Sequence, residues 1–383
     1  MRRLLSVLSL AFLLSLLLMP VGCAVALPGP MASAPQAASS ANTEAAGERT
    51  VQDLLGRQVA LPRHVQRVAA AGPGALRLIV YLQAQDMVVG VEDAENRWDP
   101  AGRPYIMAHP ELRGLPSIGP GGPGNLPDAE ALVQVNPDVL FLTYVDGRTA
   151  DNLQSQTGIP VVVLSYGDDP FSQELLSSLE LAGSILGTEE RAAEVVAFVK
   201  ETLADLDRRT ADIPDSERPT TYVGGIGYKG AHGLESTESA FPVLRAVHAR
   251  NVADELPAGH HMVDREKIVE WDPELIFLDE GGLELVLQDF AKSPDFYRSL
   301  TAFQKGQVYG LLPYNYYSTN VETALADAYF AGKVLYPERF ADVDPAAKAD
   351  ELYAFLVGKP LYAEMKEAFG GFGKLDLESA TVR

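Results

Sequence analysis

The chain has 383 residues, of which 52 are acidic and 31 are basic, so its formal net charge is −21 at pH 7. This charge disfavours nucleic acid as a partner, because a phosphate backbone would be repelled. Cys23 is the one cysteine, which excludes an intrachain disulfide bond. Residues 50–383 hold enough apolar side chains for more than one core, and this predicts two lobes.

The chain opens with an export signal. Arg2 and Arg3 precede an apolar run over 4–19, which is shorter than the roughly 20 residues that a membrane-spanning helix needs. Small residues follow the run, as at a peptidase cleavage site. We therefore predict a signal peptide over residues 1–22 and an exported protein.

Cys23 stands directly after this signal and resembles the lipidated cysteine of bacterial lipoproteins. Pro20 occupies a position where those signals usually have Leu or Val, so cleavage further downstream without lipidation is the alternative. Residues 23–49 are mainly Ala, Ser, Pro and Gly and have too few bulky apolar side chains to fold. We predict a flexible, lipid-anchored linker there, which holds a periplasmic or cell-surface protein at the membrane.

Beyond the linker, short apolar runs alternate with helical or loop segments, which is typical of parallel sheets in an α/β fold. We predict an N-terminal α/β lobe over 50–187 and a C-terminal α/β lobe over 214–383. The predicted strands of the first lobe are 67–71, 87–91, 139–142 and 161–165. Those of the second lobe are 221–225, 275–279 and 307–312.

An internal repeat relates the two lobes. Residues 128–142, DAEALVQVNPDVLFL, align with residues 264–278, DREKIVEWDPELIFL, at a constant offset of 136 (264 minus 128). Each copy predicts a short helix that Asp opens and Pro stops, followed by an apolar run suited to a buried strand. The lobes should therefore have similar construction.

Residues 188–213 predict one long helix between the lobes. Thr188 is a candidate N-cap, Glu189 and Glu190 fall in the first turn, and an apolar stripe follows. About 24 helical residues would span roughly 36 Å, which is long enough for a stiff connector. An ordinary surface helix is the alternative.

With these features in place, the chain resembles the iron-siderophore and cobalamin class of periplasmic binding proteins over approximately residues 50–340. The resemblance rests on the opening Asp53-Leu54-Leu55-Gly56-Arg57, on the two repeated units and on Thr157-Gly158-Ile159-Pro160-Val161. It implies two Rossmann-like lobes joined by a single long connector helix, a ligand cleft between them and limited hinge motion. It also implies a monomeric carrier that serves an ABC permease and its ATPase.

The same resemblance assigns two exposed glutamates. In that family one glutamate on each lobe engages arginines of the permease, and it occupies the third position of each repeated unit. In this chain these positions are Glu130 and Glu266. Acidic side chains near helix N-termini are stabilised there, so a purely local role for both is the alternative.

Ligands of open α/β sheets bind beyond the carboxyl ends of the strands, which directs attention to two segments of the first lobe. Gly72 and Gly74 would let backbone approach a ligand, although they could equally form a tight turn. Arg97, Arg103 and Tyr105 combine cationic donors with aromatic surface and suit a carboxylate, a phosphate or an anionic chelate. The alternative is a long surface loop.

The second lobe contributes two further segments. The glycine-rich stretch 224–233 carries Tyr228 and His232, and it lacks the Gly-Lys-Ser/Thr ending that nucleotide binding would need. Segment 314–320 carries Tyr316 and Tyr317, whose rings offer contact area and hydroxyls. The remaining predicted ligand contacts are Tyr144 and Tyr166, and Gly225 is predicted to admit a backbone contact.

These features predict a carrier and not an enzyme, because the motifs of nucleophilic and zinc-dependent catalysis do not occur. We expect no cofactor; the cargo should be a metal chelate or an oxyanion. A ferric siderophore leads, and molybdate or tungstate comes next, since a small oxyanion would use backbone N–H groups and a few hydroxyls. Cobalamin and haem stay open, as does a bare ion at the adjacent His260 and His261. A ligand sensor for a membrane receptor is the alternative class.

Overall fold

The structure is a computed structural model that describes residues 48–379 and 381–382. The predicted signal peptide, Cys23 and the linker up to residue 47 lie outside the described residues. The described part begins with an antiparallel hairpin of β1 (Glu48–Gln52) and β2 (Gln58–Pro62). Strand β1 therefore takes in the last two residues of the predicted linker.

The first lobe contains a four-stranded parallel sheet. Its strands are β3 (Val68–Ala71), β4 (Val88–Gly90), β5 (Val139–Leu142) and β6 (Val161–Val163). Their spatial order is β4-β3-β5-β6, so the chain reverses direction across the sheet between β4 and β5. The helices of this lobe are α1 (Ala75–Tyr81), α2 (Asp93–Arg97), α3 (Pro104–Ala108), α4 (Ala129–Val135), α5 (Gly147–Thr157) and α6 (Gln173–Leu186).

A single 22-residue helix, α7 (Glu189–Thr210), follows the first lobe. Thr188 is its N-cap residue, but the Thr188 side chain makes no capping hydrogen bond. The reason is conformational: Thr188 has φ −117° and ψ 38°, not the extended backbone from which a hydroxyl reaches the second or third amide. The Arg191 guanidinium donates to the carbonyls of Tyr81 and Phe355, which ties α7 to segments on both sides of it.

The second lobe repeats the plan of the first. Its strands are β7 (Thr220–Gly224), β8 (Ser236–Ser239), β9 (Arg250–Asn251), β10 (Gly259–Met262), β11 (Leu275–Asp279) and β12 (Val308–Leu311). A parallel sheet has the order β12-β11-β7-β9, and β8 and β10 form a separate antiparallel pair. The helices are α8 (Pro242–Ala246), α9 (Arg265–Trp271), α10 (Leu283–Lys292), α11 (Pro294–Ser299) and α12 (Thr301–Gln304).

The C-terminal segment adds elements that the sequence reasoning did not anticipate. These are α13 (Val321–Leu335), α14 (Pro345–Val357), α15 (Tyr362–Phe369) and the strand pair β13 (Leu375–Asp376) and β14 (Thr381–Val382). Among the described residues no helix is both long enough and apolar enough to cross a membrane.

The predicted α/β fold with two lobes is confirmed, and so is the repeat. Helix α9 is α4 displaced by 136 residues (265 minus 129), and β11 begins 136 residues after β5 (275 minus 139). Each helix ends on a left-handed residue, Asn136 with φ 46° and Asp272 with φ 37°. The Asx side chains tolerate this conformation, so the same local chemistry stops both helices.

Side chains along the strands alternate between two faces of each sheet. Val139 and Phe141 enter a central cluster, whereas Leu140 and Leu142 enter a cluster on the outer face of the first lobe. In the second lobe Phe277 joins the same central cluster, and its neighbours Ile276 and Leu278 join an outer one. The central core is therefore continuous through both lobes, and α7 packs into it.

Candidate ligand cleft

Each sheet has a point where the strand order reverses, and a glycine follows the strand at that point. In the first lobe Gly72 has φ 83°, and a Cβ there would lie 2.8 Å from the carbonyl oxygen of Thr143, which follows β5. In the second lobe Gly225 has φ 76°, and a Cβ would lie 3.0 Å from the carbonyl oxygen of Asp279. Ligands of such sheets bind at these reversal points, so glycine here keeps the crevice free of side chains.

The carboxyl edges of the two sheets face each other, because the loops that leave them are in contact. The Tyr144 hydroxyl, after β5, lies 2.9 Å from Ser318 Oγ, after β12. Asn320 Nδ2 donates to the carbonyl of Gly102 at 2.8 Å. Tyr144, Tyr317 and Ser318 have positive φ values of 56°, 54° and 68°. A left-handed backbone is unfavourable for such residues, and clustered strain of this kind is a feature of functional sites.

Arg77 lies at the junction of the lobes and was not among the predicted residues. It is fully buried in α1, and its Nη2 donates to the carbonyls of Tyr316 at 3.0 Å and Tyr317 at 3.2 Å. Its Nη1 donates to the Tyr166 hydroxyl at 3.3 Å, and its guanidinium lies 4.8 Å from the centre of the Tyr105 ring. The sequence signal was present: a single cation interrupts the apolar run ALRLIVY.

Glu92 forms a second link between the lobes. The Tyr317 hydroxyl donates to Glu92 Oε2 at 2.6 Å, and the Gly72 N–H donates to Glu92 Oε1 at 3.0 Å. The Gly122 N–H donates to the Tyr317 oxygen at 3.0 Å. Burial raises the pKa of Glu92 to about 7, although the hydrogen bonds from Tyr317 and Gly72 act against the rise.

Three of the predicted ligand contacts in the first lobe are not gathered at an open cleft surface, because two are buried and one is exposed to solvent. Arg103 is fully buried and pairs with Glu95 at 2.5 Å, while its guanidinium also donates to the backbone carbonyls of Ala94 and Trp98. The Tyr105 hydroxyl donates to the same Glu95 at 2.8 Å. Arg97 is exposed and pairs with Asp93 at 3.1 Å.

Gly74 and Tyr166 form one unit beneath the cleft. Gly74 has φ 79° and caps α1, and the Tyr166 hydroxyl donates to its carbonyl at 3.0 Å. A Cβ at Gly74 would lie 2.6 Å from that hydroxyl, so glycine is required by the packing of Tyr166. Burial raises the pKa of Tyr166 to about 12, which keeps its hydroxyl a donor.

The accessible aromatic side chains come from both lobes. Tyr144 is 62% exposed and Tyr228 is 49% exposed. The Tyr228 ring stacks on His260 at 4.4 Å between ring centres, and the His232 ring lies 6.0 Å from His260. Tyr316 is half-buried against Gly102. Among the described residues no cluster of three or more His, Cys, Asp or Glu side chains is arranged to hold a metal ion.

The two predicted docking glutamates occupy equivalent places. Glu130 lies in the first turn of α4 and Glu266 in the first turn of α9, and both are exposed. The cations that flank Glu266 are engaged elsewhere: Arg265 pairs with Glu235 and Asp289, and Lys267 pairs with Glu255 and Glu270. Neither Glu130 nor Glu266 forms a salt bridge with a described side chain.

Comparison with known proteins identifies relatives and solved structures that are similar to this chain. The chain is 26% identical over 338 residues to the molybdate-binding protein MolA of Haemophilus influenzae, which covers 82% of this chain and 92% of MolA. The structure of MolA bound to molybdate superposes with a TM-score of 0.65 at 22% identity, covering 82% of this chain and 98% of that one. Helicobacter pylori CeuE with Ni(II) bound superposes with a TM-score of 0.59 at 18% identity, covering 84% and 100%.

A further relative is the uncharacterized ABC transporter substrate-binding lipoprotein YvrC of Bacillus subtilis. It is 21% identical over 265 residues, which is 69% of this chain and 78% of YvrC. The family model described as periplasmic binding protein matches residues 68–314, from the first strand of one sheet to just past the last strand of the other. This match covers more than half of the chain, and the protein therefore belongs to the periplasmic binding protein family.

Proposed function

We propose that this protein binds a small oxyanion, such as molybdate or tungstate, between its lobes and delivers it to an ABC permease. As a member of the periplasmic binding protein family it is an exported solute-binding protein, and its relatives serve transport rather than catalysis. MolA binds molybdate, and the similarity between it and this protein extends over most of both chains. This similarity supports the choice of cargo.

The proposal rests on Arg77, which is buried without a carboxylate partner among the described residues. This fully buried guanidinium binds a tyrosine hydroxyl and two carbonyls, and it forms no salt bridge with any described carboxylate. Its Nε atom is buried and has no partner among the described residues. An unpaired buried charge is costly, so an anion that reaches Arg77 gains a strong interaction.

The nearby acidic groups do not remove this advantage. Glu322 interacts electrostatically with Arg77, but its carboxylate is hydrogen-bonded by the Tyr81 hydroxyl and burial raises its pKa. Arg77 hydrogen-bonds the loop after β12 through carbonyl oxygens. An oxyanion can replace those acceptors when the lobes separate, and the hydroxyls of Tyr144 and Ser318 border the same place.

A ferric siderophore is the second candidate, and a different observation favours it. Tyr144 and Tyr228 together present more exposed aromatic surface than a tetrahedral oxyanion can use. A chelate with aromatic groups would cover both rings and reach the imidazole pair of His232 and His260.

A thermal-shift panel tests the cargo. Molybdate, tungstate, sulfate, a ferric siderophore, haem and cobalamin are added to the full chain one at a time. A bound ligand at 100 times its Kd adds about 2.7 kcal/mol to the free energy of unfolding. We expect molybdate or tungstate to raise the melting temperature and the larger ligands to leave it unchanged.

Two variants tie a positive result to Arg77. Arg77→Gln should abolish the oxyanion-dependent rise, and Arg77→Lys, which keeps the charge, should retain part of it. Arg63→Gln is the matched control, because Arg63 is exposed at the opposite edge of the sheet, before β3. A rise with the ferric siderophore alone, or an oxyanion response that Arg77→Gln leaves intact, contradicts the proposed cargo.

Docking on the permease would use Glu130 and Glu266. Charge reversal of both, Glu130→Lys with Glu266→Lys, should abolish transporter-dependent uptake, since two exposed acids that face permease cations would become repulsive. The thermal shift with ligand should be unchanged, because both residues lie on outer helices. Normal uptake by the double variant removes the docking role.

A further inference from the structure

Exposed apolar side chains recur at equivalent places in the two lobes. Leu126 is 44% exposed and Met262 is 59% exposed, and the two are 136 residues apart (262 minus 126). Val133 is 53% exposed and Val269 is 44% exposed, again 136 residues apart (269 minus 133). Of the nine large apolar side chains that are exposed in the described part of the chain, these four form two pairs with the offset of the repeat.

The match extends to the surrounding positions. Over the eleven positions 126–136 and their counterparts 262–272, nine have the same degree of exposure, and the exceptions are 127/263 and 135/271. The exposure is therefore a property of the repeated unit, not of one lobe.

Side chains other than these four anchor α4 and α9 to the core. The helices α4 and α9 are attached to the core by Leu132 and Ile268, which are fully buried. The apolar contact that often fixes a helix entry joins the residue before the N-cap to the fourth helical residue. These are Pro127 with Leu132 in the first lobe, so Leu126 is not needed for that contact.

In each lobe one exposed apolar side chain precedes the docking glutamate in sequence and another follows it. Glu130 and Val133 are three residues apart in α4, and Glu266 and Val269 are three apart in α9, so each couple shares a helix face. Leu126 and Met262 each precede the N-cap by two residues. We propose that four apolar side chains join the two docking glutamates in contacting the permease: Leu126 and Val133 with Glu130 in one lobe, and Met262 and Val269 with Glu266 in the other.

The partner follows from the chemistry of the two patches. Two equivalent surfaces on one chain require two equivalent surfaces opposite, and each must offer a cation inside an apolar rim. A second copy of this chain does not meet that need, because it would bring acid against acid in a molecule of net charge −21. A permease built from two like subunits does. The inference rests on the proposed transport function.

The test replaces the four apolar side chains by polar ones of similar shape. The variant Leu126→Asn, Val133→Thr, Met262→Gln, Val269→Thr is compared with wild type for binding to the cognate permease–ATPase complex, held in lipid nanodiscs. We expect binding at least tenfold weaker with an unchanged melting temperature. Leu55→Asn with Leu285→Asn is the control, since both leucines are exposed but unrelated by the repeat.

Separate variants of each lobe show whether the patches are equivalent. Leu126→Asn with Val133→Thr, and Met262→Gln with Val269→Thr, should each weaken binding by a similar factor. A large effect from one lobe alone overturns the two-fold arrangement.

If the fourfold variant binds like wild type while Glu130→Lys with Glu266→Lys abolishes binding, the apolar role is overturned and the transport function stands. Failure of wild type to bind removes the transport function itself. If light scattering shows that wild type is a dimer and the fourfold variant is a monomer, the patches serve self-association instead.

Discussion

Several buried acids stand at the carboxyl edges of the two sheets, where an acidic protein is proposed to hold an anion. Burial raises the pKa of Glu92 to about 7, of Asp279 to about 7 and of Glu280 to about 8. Near pH 7 these groups therefore carry less than a full negative charge each. Their partial neutrality reduces the negative charge at these two edges.

Glu92→Gln should change how stability depends on pH. A carboxyl whose pKa rises from 4.5 to about 7 on folding binds its proton more tightly in the folded state, so wild type loses stability as pH increases from about 4.5 to about 7. A shift of that size corresponds to at most about 3 kcal/mol. Glu92→Gln has no proton to release, so its melting temperature should fall less than that of wild type between pH 5 and pH 8.

Glu201→Gln provides the matched control, because Glu201 is exposed on α7 and is distant in sequence from the residues of the cleft. It should follow the wild-type profile. The other buried acids keep their slope in both variants, so only the difference between Glu92→Gln and wild type is diagnostic. Parallel profiles for these two proteins would show that Glu92 is ionised throughout this pH range.

At the scale of elements, the segment between β12 and α13 joins the lobes. Backbone carbonyls of Tyr316 and Tyr317 accept from Arg77, and side chains of Tyr317 and Asn320 reach Glu92 and Gly102 of the first lobe. This segment thus contributes both main-chain and side-chain contacts to the closed arrangement. A ligand that enters the cleft has to exchange some of them.

Tyr317→Phe should destabilise the protein more than Tyr316→Phe does. Loss of the Tyr317 hydroxyl leaves one oxygen of Glu92 and the Gly122 N–H without a partner, both in buried surroundings. Unsatisfied buried groups cost about 1–3 kcal/mol. The Tyr316 hydroxyl makes no hydrogen bond to a described residue, so Tyr316→Phe should change the free energy of unfolding little. Equal values in chemical denaturation would mean that water or movement of the segment satisfies both groups.

For the whole molecule, the central core passes through both lobes without a break. Residues as far apart in sequence as Phe141, Val199 and Phe277 belong to it, and the middle one lies on α7. Because packed interiors resist deformation, this continuity agrees with the limited hinge motion expected of a helix-connected carrier. The lobes should rock about α7 rather than separate widely.

Membrane attachment is also a whole-molecule property, and we propose that Cys23 provides it. YvrC, which is named as a lipoprotein, supports this reading. Cys23→Ser should release processed protein into the soluble fraction, since a lipid chain would be the anchor and the linker has too few bulky apolar side chains to replace it. Fractionation followed by mass determination of the mature N-terminus checks this. Processed protein that stays in the membrane fraction argues against lipidation.

The sequence by itself determined the architecture, because the relevant signals are local. In 128–142 and 264–278 an Asp occupies the N-cap position, a left-handed Asx ends the helix and an apolar run continues as a buried strand, all within fifteen residues. Such signals act through neighbouring residues and need no tertiary context. The hairpin β1–β2 and the helices α13–α15 went unpredicted, since no comparable repeat marks them.

Only the tertiary structure decided which charged groups meet at the cleft. Arg103 stood out in the sequence, yet it lies buried against Glu95, whereas Arg77 looked like an interruption of an apolar helix and lies between the lobes. The partner of a buried charge is chosen by packing across distant segments, since the cost of burial outweighs any local preference. The equivalence of Val133 with Val269 was implicit in the repeat, but their exposure emerged only when both lobes were folded.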